Sequence, residues 1–320
     1  MLRYFIIVFL ILEFFFADAK PQDRFYGPGY QSIILVNPAS VGAEGDGVMR
    51  MIYMNPYPGR GFDLHSFSVS YDTFIPLLHG GVACFFTNDY LGGILNDIRG
   101  GFSYSYHLQA GNNLFINAGL SAAIQHRGVS RGNIILPDQI DPLRGVVMSS
   151  QEIINYRGKS FFDVGTGVMV IYGRYIAALS VNHLALPDYE GYGSPESLLK
   201  RRLSLYATAT FSPAGNLDIR PLFLFDMAGK DITVAAGATG GAEPLSINVL
   251  AIAGRAGDIN MQTGLSFKKG KVLFFYNYCF NLTSVNSLMP FSLYHQGGIG
   301  ISLNNVNKRN VIKTINFPEL

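Results

Sequence analysis

Residues 98–123 have the sequence IRGGFSYSYHLQAGNNLFINAGLSAA, in which apolar and polar side chains alternate on both sides of a central turn signal. In the first part, Tyr104 and Tyr106 alternate with small polar residues such as Ser103. In the second part, Leu120 holds an apolar position. Period-two alternation places successive side chains on opposite faces of a strand. The stretch therefore predicts a β-hairpin with one apolar face and one face of small and polar residues.

Two classes of fold accommodate such a hairpin. A soluble sandwich packs the apolar face against a second sheet, whereas an outer-membrane barrel exposes it to lipid and lines its lumen with the small polar face. The chain has only 14% charged residues and a mean hydropathy of +0.22, which is apolar for a soluble protein. No apolar run long enough for a spanning helix follows the N-terminus. Strands with an apolar residue at every second position give this combination, and it favours the barrel.

The same hairpin pattern recurs to the end of the chain and predicts an all-β fold, a transmembrane antiparallel β-barrel of about fourteen strands. An even number lets a bacterial barrel close without a free edge. The three longest connections, 128–160, 184–201 and 282–292, follow strands 5, 7 and 13. If the chain enters from the periplasm, all three face outside, as long loops of such barrels do. The predicted strands are 47–57, 62–73, 80–87, 98–108, 114–127, 161–172, 174–183, 202–211, 216–225, 232–239, 245–253, 258–267, 272–281 and 293–303.

The predicted barrel leaves three other segments. Residues 1–19 have a short basic start, an apolar stretch and the cleavage signal Ala17-Asp18-Ala19, and they predict a signal peptide. Residues 20–46 are expected to be a periplasmic or lumenal segment, residues 47–303 the outer-membrane barrel, and residues 304–320 a C-terminal tail. Both termini of the mature chain are expected in the periplasm, and the protein in the bacterial outer membrane.

The sequence offers little for catalysis or cofactor binding. The six histidines are scattered without metal-ligand spacing, and the glycine-rich stretches lack the Lys-Ser/Thr of a phosphate loop. His65 with Ser66, and Ser292 with His295, are pairs that a Ser–His hydrolase would need. The first pair fails on geometry, because adjacent residues face opposite sides of a strand. We expect no catalytic residue, cofactor or metal. The net charge of +2 favours no nucleic-acid partner.

Several motifs, spread over residues 26–303, resemble the PorP/SprF family of Bacteroidetes outer-membrane proteins. They include YQ at 30–31, NPA at 37–39 and FSYSYH at 102–107, and they are most specific at FDVGTG, 162–167, and ALSVNHL, 178–184. The motif residues that the resemblance implies are Asn37, Pro38, Ala39, Gly42, Asp163, Gly165, Gly167, His183 and Pro187.

The resemblance implies a non-enzymatic barrel of the type IX secretion and gliding-motility machinery. Such proteins help to secrete, or hold at the cell surface, a large adhesin-like protein with a C-terminal sorting domain. That secreted protein, periplasmic peptidoglycan-linked or other type IX secretion components, and outer-membrane lipid are the partners implied. Two functions of other classes stay open from the residues alone: a passive pore or solute transporter, and an outer-membrane hydrolase.

The predicted inner face argues against an open pore. By alternation, positions such as Phe115, Met169, Leu250 and Phe275 face the lumen, and they are too bulky and apolar to line a water-filled channel. We therefore expect a packed or protein-occupied lumen. The loop 128–160 contains apolar clusters, and it is expected either to fold into the lumen as a plug or to dock the secreted protein's C-terminal domain.

Overall fold

The computed structural model describes residues 32–56, 58, 64–92, 95–129, 140–141, 145–146, 158–188, 198–214, 216–254, 259–283 and 293–303. One short helix, α1 at Ile33–Val36, is followed by a 3-10 turn at Pro38–Ser40. The strands of the wall are β1 Val48–Pro56, β2 Leu64–Ile75, β3 Gly80–Leu91, β4 Leu95–Gln109, β5 Leu114–Val129, β6 Lys159–Tyr172, β7 Tyr175–Asn182, β8 Arg202–Ala209, β9 Leu217–Ala228, β10 Asp231–Ala242, β11 Leu245–Gly254, β12 Ile259–Lys269, β13 Val272–Asn281 and β14 Tyr294–Ser302.

The sheet closes on itself. Each strand pairs antiparallel with the next along the chain, and β1 pairs with β14 from Val48 opposite Ser302 to Pro56 opposite Tyr294. Closure leaves no strand with an unpaired edge. The predicted fourteen-stranded antiparallel barrel is confirmed. The hairpin of β3 and β4 is longer than predicted, because its polar tip still forms ladder pairs as far as Leu91 opposite Leu95.

Strand β8 is interrupted after Ala209, and Pro221 on the neighbouring strand explains the interruption. The pairing of β8 with β9 runs as far as Thr208 and resumes at Phe211. Pro221 lies opposite this gap and has no N–H to give to the ladder. The short strand Phe211–Ala214 is therefore the continuation of β8 within the same wall.

The two faces of the wall follow the predicted alternation. Tyr104 and Leu120 point outward with exposed fractions of 38% and 60%, whereas Ser103 and Asn117 point inward with 5% and 0%. The outer surface of the barrel is thus an apolar band, as a lipid-facing wall requires. Among the described residues, no helix is both long and apolar enough to cross a membrane.

The two ends of the barrel differ in the length of their connections. We call one the short-turn end, where the strands are joined by residues 76–79, 110–113, 173–174, 215–216, 243–244 and 270–271. We call the other the long-loop end, with connections 57–63, 92–94, 130–158, 183–201, 229–230, 255–258 and 282–293. Outer-membrane barrels keep their short turns in the periplasm. Most of the predicted docking loop lies outside the described residues, apart from a small ladder that pairs Ile140 with Val146.

Candidate functional site: a lumen filled by the N-terminal segment

The N-terminal residues 32–46 run through the lumen, and we call them the plug segment. Ala39 and Val41 are fully buried, and they join Ile33 and Ile34 in one apolar cluster with inward residues of the wall such as Phe115. The sequence left open whether this part of the chain is periplasmic or lumenal, and the described residues lie inside the barrel. A water-lined pore would leave inward side chains exposed, so this burial shows that the described lumen is packed here.

The plug segment holds its shape through a compact double turn. After α1, Asn37 caps the 3-10 turn, because its Oδ1 accepts a hydrogen bond from the Ala39 backbone N–H at 2.9 Å. Pro38 fills the first position of that turn, where no N–H donor is needed. The Ser40 hydroxyl donates back to the Asn37 carbonyl at 2.7 Å. The sequence thus makes a rigid turn that needs no partner strand.

Strands β6 and β7 hold the start of this turn. The Val36 carbonyl accepts two hydrogen bonds, from Ser180 Oγ at 2.9 Å and from Asn182 Nδ2 at 2.8 Å. Gly167 on β6 lies directly beneath Asn37, and a Cβ at Gly167 would stand 2.1 Å from Asn37 Oδ1. Only glycine therefore lets the capping side chain reach the wall.

Strands β4 and β5 hold the middle of the turn. A Cβ at Gly119 would stand 2.3 Å from the Ala39 backbone nitrogen, so β5 and the plug segment are in direct backbone contact. On β4, Ser105 Oγ donates to the Ala39 carbonyl at 3.0 Å, and His107 Nε2 lies 3.0 Å from the Val41 carbonyl. The polar inward residues of the FSYSYH motif thus satisfy the carbonyls of a segment that forms no sheet ladder.

The plug segment leaves the lumen through a glycine contact and a charged cluster. Gly42 has a φ of +70° and packs against Gly81 of β3, where a Cβ would meet the Gly81 backbone at 2.5 Å. The Gly42 N–H donates to Asp72 Oδ2 at 2.9 Å, and the other carboxylate oxygen of Asp72 accepts from Arg50 at 2.5 Å. Arg50 also pairs with Glu44 of the plug segment. The charges fix the point at which the chain turns into β1.

The remaining motif residues lie closer to the long-loop end. Asp163 and His183 form a buried pair, with Nδ1 2.8 Å from Oδ2, and Arg99 approaches the same oxygen at 3.3 Å. Gly165 packs against the side chain of Asn182, which donates to the Val36 carbonyl of the plug segment. The Pro187 carbonyl accepts a hydrogen bond from the Leu199 N–H at 2.9 Å, within the β7–β8 connection. These residues brace the wall above the plug segment.

The far side of the lumen, on β11–β14, is filled in another way. Its inward side chains form a chain of amides in which Asn248 Nδ2 donates to Asn277 Oδ1 at 3.0 Å, and Asn277 Nδ2 donates to Gln296 Oε1 at 3.0 Å. Gln262 joins this chain through Asn248, and it also accepts from the Tyr294 hydroxyl at 2.6 Å. All four amide side chains are almost completely buried. We call β11–β14 the amide side and β2–β7 the plug side.

No arrangement for hydrolysis is assembled in the part of the chain that the structure describes. His65 stacks on Tyr53 on the outer face, while Ser66 is buried inside, so this predicted pair is split between the faces. Ser292 lies outside the described residues. An unpredicted pair, His126 Nδ1 and Ser160 Oγ, stands at 2.9 Å on the outer face, but no described carboxylate or amide bonds this histidine. The described residues also contain no group of His, Cys, Asp and Glu that would hold a metal ion.

The side chains that bind the plug segment are not among the motif residues implied by the resemblance. Ser105, His107, Ser180 and Asn182 all lie at inward positions of the motifs that carry the resemblance. The sequence could have indicated them, because period-two alternation places all four side chains on the lumenal face of their strands. Asp72 carried the same signal, because alternation places it on the inward face with Ser68 and Ser70, but its bond to Gly42 depends on where the plug segment leaves the lumen.

The family model for "Type IX secretion system membrane protein PorP/SprF" matches residues 19–291. The chain belongs to the PorP/SprF family. This PorP/SprF protein is accordingly an outer-membrane β-barrel, and membership of the type IX secretion machinery implies secretion-system partners. No curated protein matches its sequence.

The barrel of this PorP/SprF protein is similar to several solved outer-membrane barrels. Against Acinetobacter baumannii Omp33 the sequence identity is 7% and the TM-score 0.47, over 80% of this chain and 97% of that one. Against a Pseudomonas aeruginosa FadL homologue the sequence identity is 9% and the TM-score 0.48, over 85% of this chain and 94% of that one. Against the KdgM porin the sequence identity is 9% and the TM-score 0.37, over 80% of this chain and 98% of that one. Similarity at this level carries no argument about function.

Proposed function

We propose that this PorP/SprF protein is a closed, non-enzymatic barrel that helps to secrete a large protein with a C-terminal sorting domain, or anchors it at the cell surface. The observation that carries the proposal is the burial of the plug segment, with Ala39 and Val41 fully enclosed. A diffusion pore needs a wet lumen, whereas a scaffold that presents loops to a partner gains rigidity from a packed one. Family membership supplies the secretion-system context.

The same packing opposes a passive pore or solute transporter. The inward side chains of Met54, Met169, Leu250 and Gln262 are among those buried almost completely. Met169 belongs to the plug side, Leu250 and Gln262 belong to the amide side, and Met54 lies on β1 between them. The packing is therefore not confined to the plug segment. A solute pathway through the described lumen would require at least one of these two fillings to move.

The electrical test compares the mature full-length chain with a variant that lacks residues 32–43, in planar bilayers. We expect no steady conductance from the full-length chain, and stepwise conductance from the deletion variant, because the backbone that fills the lumen beside β4–β7 is gone. Removal of the tail 304–320 is the matched control and leaves the membrane closed. A steady open channel from the full-length chain would overturn the proposal in favour of the pore, whatever the deletion variant does.

The partner test uses the long loop at the long-loop end. We propose that the loop 128–160 contributes to the surface that binds the secreted protein's C-terminal domain. The intact barrel and one shortened across residues 132–155 are purified from outer membranes, and the proteins bound to each are compared. Loss of a sorting-domain protein from the shortened barrel supports the proposal. If the shortened barrel assembles and keeps all its partners, the loop is not the binding surface.

A further inference from the structure

A groove on the membrane-facing side of the wall is a second feature, separate from the lumen. It crosses β6–β9 near the short-turn end and has a volume of about 490 Å³, which falls in the range of roughly 300–1,000 Å³ typical of ligand pockets. Its floor consists of small side chains that face each other across the strands. Ala177 lies opposite Val170 on one side and Ala207 on the other, and Ala207 lies opposite Phe223.

The recess follows from the sequence of these strands. Two residues toward the long-loop end, the outward positions of β7 and β8 carry Leu179 and Leu205, which are well exposed. At the groove, the outward positions of the same two strands carry Ala177 and Ala207 instead of leucine. The smaller side chains leave a recess in the outer surface. Pro221 lies in the next row, where the β8–β9 ladder is interrupted. A trough therefore forms between the larger side chains of β6 and β9.

The mouth of the groove combines aromatic rings with a positive charge. Tyr172 lies opposite Tyr175 at the turn between β6 and β7. Tyr175 meets Phe211 edge-to-face at 6.5 Å, and the Arg174 guanidinium lies 5.6 Å from the centre of the Phe211 ring. Stacking over a ring leaves the in-plane N–H groups of an arginine able to donate to a phosphate. Tyrosine and arginine at this depth match the headgroup level of a bilayer.

We propose that the groove binds one anionic glycerophospholipid of the inner leaflet. An acyl chain lies over Ala177 and Ala207, and the phosphate accepts hydrogen bonds from Arg174. Charge complementarity decides the occupant, since an apolar trough that ends in a cation fits a lipid with an apolar chain and an anionic head. The inner leaflet is chosen because short turns face the periplasm. The site lies on the outer surface, so the proposal stands or falls independently of what the long loops bind.

The test uses the absence of tryptophan from the chain, which allows a single reporter to be introduced. Tyr172→Trp places the reporter at the mouth of the groove, and Tyr106→Trp places a matched one on the outer face of β4 near the same end. Both full-length variants are reconstituted in phosphatidylcholine vesicles with increasing amounts of brominated phosphatidylglycerol, which quenches tryptophan fluorescence. We expect half-maximal quenching at Tyr172→Trp at an about fivefold lower fraction of the brominated lipid, as one arginine at an anionic headgroup provides.

Added substitutions separate the headgroup from the chain. In the Tyr172→Trp background, Arg174→Gln should remove the fivefold preference, while Lys271→Gln, at a distant short turn, should keep it. Ala207→Phe fills the trough and should abolish the preference, while Ala251→Phe, outward on β11, should not. Equal quenching curves at the two reporters would mean ordinary annular lipid and overturn the proposal. A photoreactive residue at position 172 that captures a protein instead of phospholipid in outer membranes would also overturn it.

Discussion

The plug side and the amide side of the lumen are both buried, but they are filled by different parts of the chain. On the plug side, glycines such as Gly119 and Gly167 leave room for a separate backbone, and short polar side chains bind its carbonyls. On the amide side, long side chains such as Gln262 and Gln296 fill the space themselves and bond to one another. The first filling is a separate segment of the chain, so a deletion can remove it and leave every wall strand in the sequence. The second cannot be removed in this way, because it is part of the wall.

We expect the lipid-facing surface to be the same on the plug side and the amide side, although their lumenal fillings differ. Arginine substitutions on this surface test that expectation and have the largest expected effect on stability. Leu120 on the plug side and Leu265 on the amide side are similarly exposed, at 60% and 57%. Leu120→Arg and Leu265→Arg should each lower the free energy of unfolding by roughly 2–4 kcal/mol, because each places a charge in hydrocarbon. Urea titrations of the folded barrel in lipid vesicles measure both. A clear difference between them would show that the two sides also differ in their contact with lipid.

The next effect concerns the room left by glycine. Gly119→Val should lower the free energy of unfolding by about 3 kcal/mol, since the added atoms meet the backbone of Pro38 and Ala39 and overpack the lumen. Gly240→Val, on β10, is the control, because a Cβ there meets nothing within 4 Å. The same urea titration compares the two. Equal losses would contradict the idea that the plug segment fills the space above Gly119.

The smallest effect compares two buried asparagines. Asn277→Leu on the amide side should cost about 1–2 kcal/mol, because it removes the bonds to Asn248 and Gln296 and leaves their polar groups buried. Asn117 on the plug side is fully buried, and its amide has no hydrogen-bond partner among the described residues. Asn117→Leu should therefore be neutral or stabilising. Thermal unfolding of both variants decides the matter, and a larger loss at Asn117 would contradict it.

The wall could be predicted from the sequence because its signal is local. Alternation in stretches such as 98–123 depends only on which side of a strand faces lipid, so both the strand count and the facing were available. The residues NPAS at 37–40 favour a turn, because Asn-Pro starts turns, but a turn in the sequence does not say what it packs against. On the amide side, alternation indicated a polar lining. It did not indicate which amides bond to one another, because that depends on the register of the strands. The break opposite Pro221 follows from its missing N–H, once the pairing partner is known.

The position of the plug segment in the chain has a consequence for the order of assembly. The hydrogen bonds described from it to the wall reach Asp72, Ser105 and Asn182, all in the first part of the chain. Contacts that close shorter stretches of chain cost less entropy and form earlier. We therefore expect β2–β7 to curl around the plug segment as an early half-barrel. The remaining strands would then add in sequence until β14 meets β1, with the plug segment already enclosed.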